Sequence, residues 1–297
     1  MRTIPTLSVE SELKSTRTFS HVMGVIIRDP LSLASTIVIL LFILIAIFAN
    51  QIAPYPAEGT GKTNVDNAML APSPGHILGA DRLGRDMLSR VIMGARPALI
   101  VPFGVVLFAI LIGAPLGAIA GYKGGWVDNV IMRTTDLFLA FPSLLLAMAI
   151  AFALGRGLQN AAIALIVSWW PWYTRLARGV TLSLKERYFV EAARSIGVRD
   201  SVIIIRHILP NIISPILVQA TIDLGTVILS MGGLAFLGLG TQPPGADWGL
   251  MVSEGRSYIL NQWWISSFAG LAIFIVVLAF NLLGDTLRDI FDPRQYK

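Results

Sequence analysis

The residues best suited to chemistry are few and scattered along the 297-residue chain. Cysteine is absent, which excludes thiol catalysis and disulfides. The three histidines, His21, His76 and His207, lie far apart, and none has a metal-ligand partner at helical spacing. No metal site is expected. The segment Pro56-Ala-Glu-Gly-Thr-Gly-Lys-Thr63 resembles a phosphate-binding loop. That pattern requires Gly where Pro56 stands, a strand before it and a helix after it. The segment reads instead as a flexible polar loop, and the chain is expected to carry no ATPase of its own. Asp223 is the one ionisable residue deep inside an apolar run. Such residues usually face a bundle interior or a water-filled path. A structural bond to a neighbouring polar group explains it as well. Asn281 has the same two readings. Asp285, Arg288, Asp289 and Asp292 are spaced for local ion pairs.

The elements that must hold these residues are apolar helices. Hydrophobic residues make up 55% of the chain and charged residues 14%, against about 25% charged in soluble domains. Six stretches reach the length of a spanning helix: 31–52, 97–122, 137–154, 157–174, 208–239 and 263–284. They are continuous apolar runs, not the alternating segments of a barrel. The first is too long for a signal-peptide core. The spacing predicts an all-α membrane protein with six transmembrane helices. Residues 1–30 form a cytoplasmic N-terminal segment, 31–286 the membrane domain and 287–297 a cytoplasmic tail.

Basic residues set the orientation. With the N-terminus inside, 16 of the 23 Lys and Arg residues fall on the inner side, as the positive-inside rule requires. The first outer loop is the exception, with Lys62, Arg82, Arg85, Arg90 and Arg96. The net charge of +5 follows from this bias. No basic run is interleaved with aromatics, so nucleic-acid binding is not expected.

Gly113, Gly117 and Gly121 recur every four residues, which lets a neighbouring helix approach closely. Trp263 and Trp264 read as interfacial anchors. Pro171, among Trp169, Trp170, Trp172 and Tyr173, is placed to kink the fourth span. The longest inner loop runs from about 175 to 207. Ser183 and Glu186 form a capping box that starts a helix. Gly197 stops that helix, and Asp200 or Ser201 caps the next. Ala192 and Ala193 beside Glu191 suit a helix pressed into a groove of another protein. An ordinary surface helix fits the spacing equally well.

The run Glu191-Ala-Ala-Arg-Ser-Ile-Gly197, then nine residues, then His207-Ile-Leu-Pro210 resembles the EAA loop of ATP-binding-cassette importer permeases. His207 stands where the general pattern has Ile, a form familiar in the peptide and nickel subfamily. Leu78-Gly-Ala-Asp-Arg-Leu-Gly-Arg-Asp86, Gly121-Tyr-Lys-Gly-Gly-Trp-Val-Asp128 and the tail Asn281-Leu-Leu-Gly-Asp-Thr-Leu-Arg-Asp289 resemble the second, or C-type, permease of dipeptide and oligopeptide importers. The resemblance implies a type I importer permease bundle with a cytoplasmic coupling helix. It implies ATPase coupling through Glu191, Ala192, Ala193, Gly197, Leu209 and Pro210, with Asp223 and Asn281 as candidates for the translocation path. The implied partners are a homologous B-type permease, two cytoplasmic ATPase subunits that hold ATP and Mg, an extracytoplasmic substrate-binding protein and membrane lipid. The implied location is a bacterial or archaeal inner membrane. No cofactor is bound by this chain. Short peptides are the expected solute, with nickel chelates as the alternative.

Three other classes compete. A secondary transporter would show inverted repeats and several intramembrane charges. A membrane-embedded hydrolase would need Ser with His, or a metal cluster. A purely structural scaffold leaves the long inner loop without a purpose.

Overall fold

The computed structural model describes residues 19–291. The first 18 residues of the expected N-terminal segment and residues 292–297 of the tail lie outside the described residues. Asp292 of the expected ion-pair group is among them.

The chain folds into α1 (Phe19–Arg28), α2 (Pro30–Ile47), α3 (Met87–Lys123), α4 (Gly125–Leu139) and α5 (Ser143–Leu154). There follow α6 (Leu158–Leu184), α7 (Tyr188–Ser195), α8 (Asp200–Phe236), α9 (Trp248–Gly255) and α10 (Trp264–Phe291). Asp29 caps α2 by accepting from the Ser32 N–H at 2.9 Å. Pro30 opens that helix, where its missing N–H is no loss.

Each of the six expected spans falls on a helical stretch, and four or five of these have the length and apolarity of a membrane span by composition alone. Four helices, α2, α3, α8 and α10, are long and apolar enough to cross a membrane, and the bent pair α4–α5 makes a fifth. The expected span 137–154 is broken, because α4 and α5 meet at 85°. Pro142 lies at the break, where it cannot donate to a helix and disfavours helical backbone in Phe141. The expected span 157–174 lies within α6, which has 27 residues. Its length suffices, but Gln159, Asn160, Arg175 and Arg178 dilute its apolarity. The first span ends at Ile47, and Ala49–Ile52 forms a separate turn.

Gly113, Gly117 and Gly121 make the closest helix contact. A Cβ on Gly113 would lie 2.7 Å from Tyr173 Cβ, on Gly117 2.7 Å from Ala177 Cβ, and on Gly121 2.9 Å from Thr181 Cβ. Each distance is a clash, so α3 and α6 touch backbone to backbone along this stripe. Pro171 sits inside α6 without ending it.

At the N-terminal end of α3 the connecting loop and α9 build a cap. Arg85 bonds Asp81 at 2.6 Å and Glu254 at 3.1 Å, and Arg90 bonds Glu254 at 3.2 Å. Both guanidiniums are buried. Asp86 caps α3 through the N–H and hydroxyl of Ser89, both at 2.7 Å. His76 Nδ1 lies 2.8 Å from the same carboxylate, and Tyr55 stacks on the His76 ring. Burial raises the pKa of Asp247, and this carboxylate caps α9 by accepting from Leu250 N–H. Arg96 donates to Ala46 O at 2.7 Å and Ile47 O at 3.2 Å, satisfying carbonyls at the end of α2. Three of the five basic residues that break the charge rule are therefore bonded within the chain. Two readings change here. The 56–63 segment is an ordered part of the cap, with Glu58 accepting from the Asp86 N–H at 2.9 Å. Trp264 is buried and donates to Ala80 O at 3.2 Å, so it is no interfacial anchor.

Candidate functional site

The loop at the other end of α3 starts differently from the expectation. Helix α6 continues through Ser183, whose hydroxyl donates to Val180 O at 2.7 Å. The Ser183–Glu186 capping box therefore does not form. Helix α7 begins after Arg187 without a side-chain cap. It ends at Gly197, where φ is +80°. Nothing lies within 4 Å of a Cβ built there, so the need for glycine is conformational, not steric.

The eight residues of α7 divide sharply. Val190 and Ala193 are buried against the protein. Tyr188, Glu191, Ala192, Ser195 and Ile196 are exposed, at the i, i+3, i+4, i+7, i+8 positions of one helical face. Tyr188 is 88% exposed and Ile196 81%. These large apolar residues flank the small Ala192. Of the paired alanines, only Ala192 is open to a partner.

A clamp fixes the back of this element. The Tyr122 hydroxyl, at the end of α3, donates to Asp200 Oδ1 at 3.0 Å. Arg194 Nε donates to the same hydroxyl at 3.3 Å, and its guanidinium lies 4.9 Å from the ring centroid. Asp200 thus serves as a side-chain acceptor, and no side chain caps α8. Nearby, Arg178 makes two bonds to Asp128, at 2.5 and 2.6 Å, joining α6 to α4. The segment 121–128 carried both Tyr122 and Asp128 in plain view. Their roles were hidden because the partners lie 50 residues or more away.

Leu209 and Pro210 lie at a local distortion. Residues Ile204–Ile208 form a π-turn in which the Leu209 N–H reaches back to Ile204 O. Pro210 has no N–H to give Arg206 O, and its ring crowds that carbonyl. The extra residue in the turn relieves that crowding. Such single π-turns are often found at functional sites. Pro210 is exposed and Leu209 is half-buried.

Asp223 lies near the middle of α8 and opens on a cavity of about 660 Å³. Gln219 and Thr226 line it from the same face of α8, and Trp169, Trp172 and Arg175 line it from α6. Arg175 is also bonded to Asp136 at 2.7 Å. Asn281 lies elsewhere. Its side-chain oxygen would sit 3.3 Å from a Cβ on Gly225, in the α8–α10 contact. The structure does not bring the two path candidates together. Among the described residues, no group of three His, Cys, Asp or Glu could hold a metal ion.

Residues 113–297 match the family described as binding-protein-dependent transport system inner membrane component. Residues 21–72 match the N-terminal transmembrane domain of oligopeptide transport permease C. A dipeptide transport system permease protein of Alkalihalophilus pseudofirmus is 45% identical over 90% of this chain and 87% of its own. A glutathione transport system permease protein of Pectobacterium atrosepticum is 43% identical over 90% and 88%. Among solved structures, a chain of the inward-facing MetNI methionine ABC transporter matches with a TM-score of 0.55. Its identity is 21%, over 69% of this chain and 98% of that one.

Proposed function

Since the chain belongs to the binding-protein-dependent transport inner membrane components, permease subunits of ABC importers, we propose that it forms half of a translocation path for short peptides. The family is a transport component and not an enzyme, and its fold is that of a type I importer permease. The observation that carries the peptide reading is the length of the match. Relatives named for dipeptide and glutathione transport align over nine-tenths of this chain.

The family supports the following set of partners. A B-type permease supplies the other half of the path. Two cytoplasmic ATPase subunits bind ATP and Mg, and an extracytoplasmic binding protein delivers the solute. Both termini are cytoplasmic, with residues 1–30 and 287–297 flanking the permease domain. The open face of α7, with Glu191 and Ala192, enters a groove on an ATPase. Ala193 acts from behind, by seating α7 on its own protein. Gly197 ends the helix so that the chain can return to the Tyr122 clamp. Leu209 and Pro210 shape the joint through which movement of α7 reaches α8. A contact whose geometry differs between two states is what coupling requires, because a ligand shifts an equilibrium only by its differential interaction.

The test is uptake of a labelled dipeptide in cells carrying the complete gene neighbourhood, with this gene deleted and then restored. Gene-dependent, ATP-dependent uptake that yields to unlabelled peptide and not to nickel is expected. Loss of nickel accumulation with peptide uptake intact would overturn the solute.

A further inference from the structure

The cavity beside Asp223 is lined by a single carboxylate. Asp223 is 9% exposed, and its Oδ1 accepts from Gln219 Nε2 at 3.0 Å. Its Oδ2 is buried, and the Tyr173 hydroxyl on α6 faces it as a donor. Asp223 lines a space large enough for a small molecule.

The walls state what would fit. Gln219, Asp223 and Thr226 recur at i, i+4 and i+7, so α8 presents a polar strip with one carboxylate. Trp169 and Trp172 recur at i and i+3, so α6 presents two indoles. The one positive group lining the cavity, Arg175, is already bonded to Asp136. A carboxylate set near aromatic faces suits a cation that can donate hydrogen bonds. One carboxylate alone makes a poor metal site. We propose that this cavity holds the protonated amino group of the solute, with Asp223 as its charge partner and Trp172 as its aromatic face. The inference rests on the short-peptide reading and adds the chemical feature that the permease itself recognises.

The experiment uses the complete transporter in proteoliposomes: this chain, its partner permease, the ATPases and the binding protein. Two probes are compared, a free dipeptide and its N-acetylated form, each at a concentration that saturates the binding protein. The readout is the ratio of the two uptake rates, with ATP hydrolysis and complex yield measured alongside. The binding protein is the same in every sample, so a change in the ratio belongs to the permease. Asp223→Asn is expected to lower the preference for the free dipeptide by about tenfold, the scale of one charge-assisted hydrogen bond. Asp223→Glu keeps most of the preference. Trp172, half exposed, tolerates replacement, and Trp172→Ala lowers the preference by about threefold. That variant decides the matter if Asp223→Asn fails to assemble. An unchanged ratio in both Asp223→Asn and Trp172→Ala would overturn the inference. So would equal loss of both probes with normal ATP hydrolysis, the mark of a proton-linked or structural carboxylate. A wild-type complex that carries neither probe would instead remove the short-peptide reading beneath it.

Discussion

The two ends of α3 are built on opposite principles. At the N-terminal end, buried charges are paired: Asp81, Arg85, Arg90 and Glu254 form one network under α9. At the other end, α7 buries only small apolar residues and turns a face with Tyr188 and Ile196 to the surroundings. One end is closed by its own chain. The other is held from behind, by Tyr122 and Arg194, and left open in front. A subunit that must pass motion along its length needs this asymmetry. On the proposed reading, it gains a stiff frame at the cap and a contact surface, not a finished core, at the α7 end.

The sharpest way to break the comparison is to remove a charge from the closed end. Arg90→Ala leaves the buried Asp81 and Glu254 carboxylates sharing one cation, Arg85. The expected loss is about 3–5 kcal/mol, seen as low yield and a lower Tm in detergent. A loss under about 1 kcal/mol would mean the cap is not locked by charge.

The second prediction divides α7 itself. Ala193→Asp places an unpaired charge against the core and costs about 2–4 kcal/mol of thermal stability. Ala192→Asp, on the open face, changes stability by less than about 0.5 kcal/mol yet abolishes solute-stimulated ATP hydrolysis in the complex. Equal effects on stability would erase the distinction between the two faces.

The third concerns the frame between the ends. Gly117→Ala forces a methyl into Ala177 and costs about 1–3 kcal/mol by thermal unfolding, whereas the same change at Gly104, which has open space around it, is expected to be neutral. The fourth and smallest is Tyr122→Phe. It removes one hydroxyl and about 1 kcal/mol, but raises the ATP hydrolysed per solute carried, because α7 is no longer tied to α3. An unchanged stoichiometry would place the clamp outside the coupling route.

Much of this was legible in the residues. The glycine stripe 113–117–121 announced the α3–α6 contact, because only a repeat of four places small residues along one helical face. Gly197 announced the end of α7, because its backbone conformation is one that glycine adopts freely. Asp223, isolated in an apolar run, was expected to face a bundle interior or a water-filled path, and it lines a cavity. Other features were hidden because they depend on distant partners. The Arg85 and Arg90 charges looked like an excess until Glu254 was brought to them. The capping box at Ser183 was overridden by the continuing helix, since an intrahelical carbonyl is a nearer partner for the hydroxyl than a new N-terminus. The fourth expected span, 157–174, lies within α6, where Gln159 and Asn160 make it less apolar than the others.

On the proposed reading, one face of α7 belongs to a partner and the other to the chain. The chain has no cysteine, so Ala192→Cys and Ala193→Cys each introduce one thiol. Labelling by a water-soluble maleimide should be compared for the permease pair alone and for the full complex with ATPases. Fast labelling of Ala192→Cys is expected in the pair, with protection of about tenfold or more in the complex and slow labelling of Ala193→Cys in both. Equal labelling of Ala192→Cys with and without the ATPases would contradict that reading.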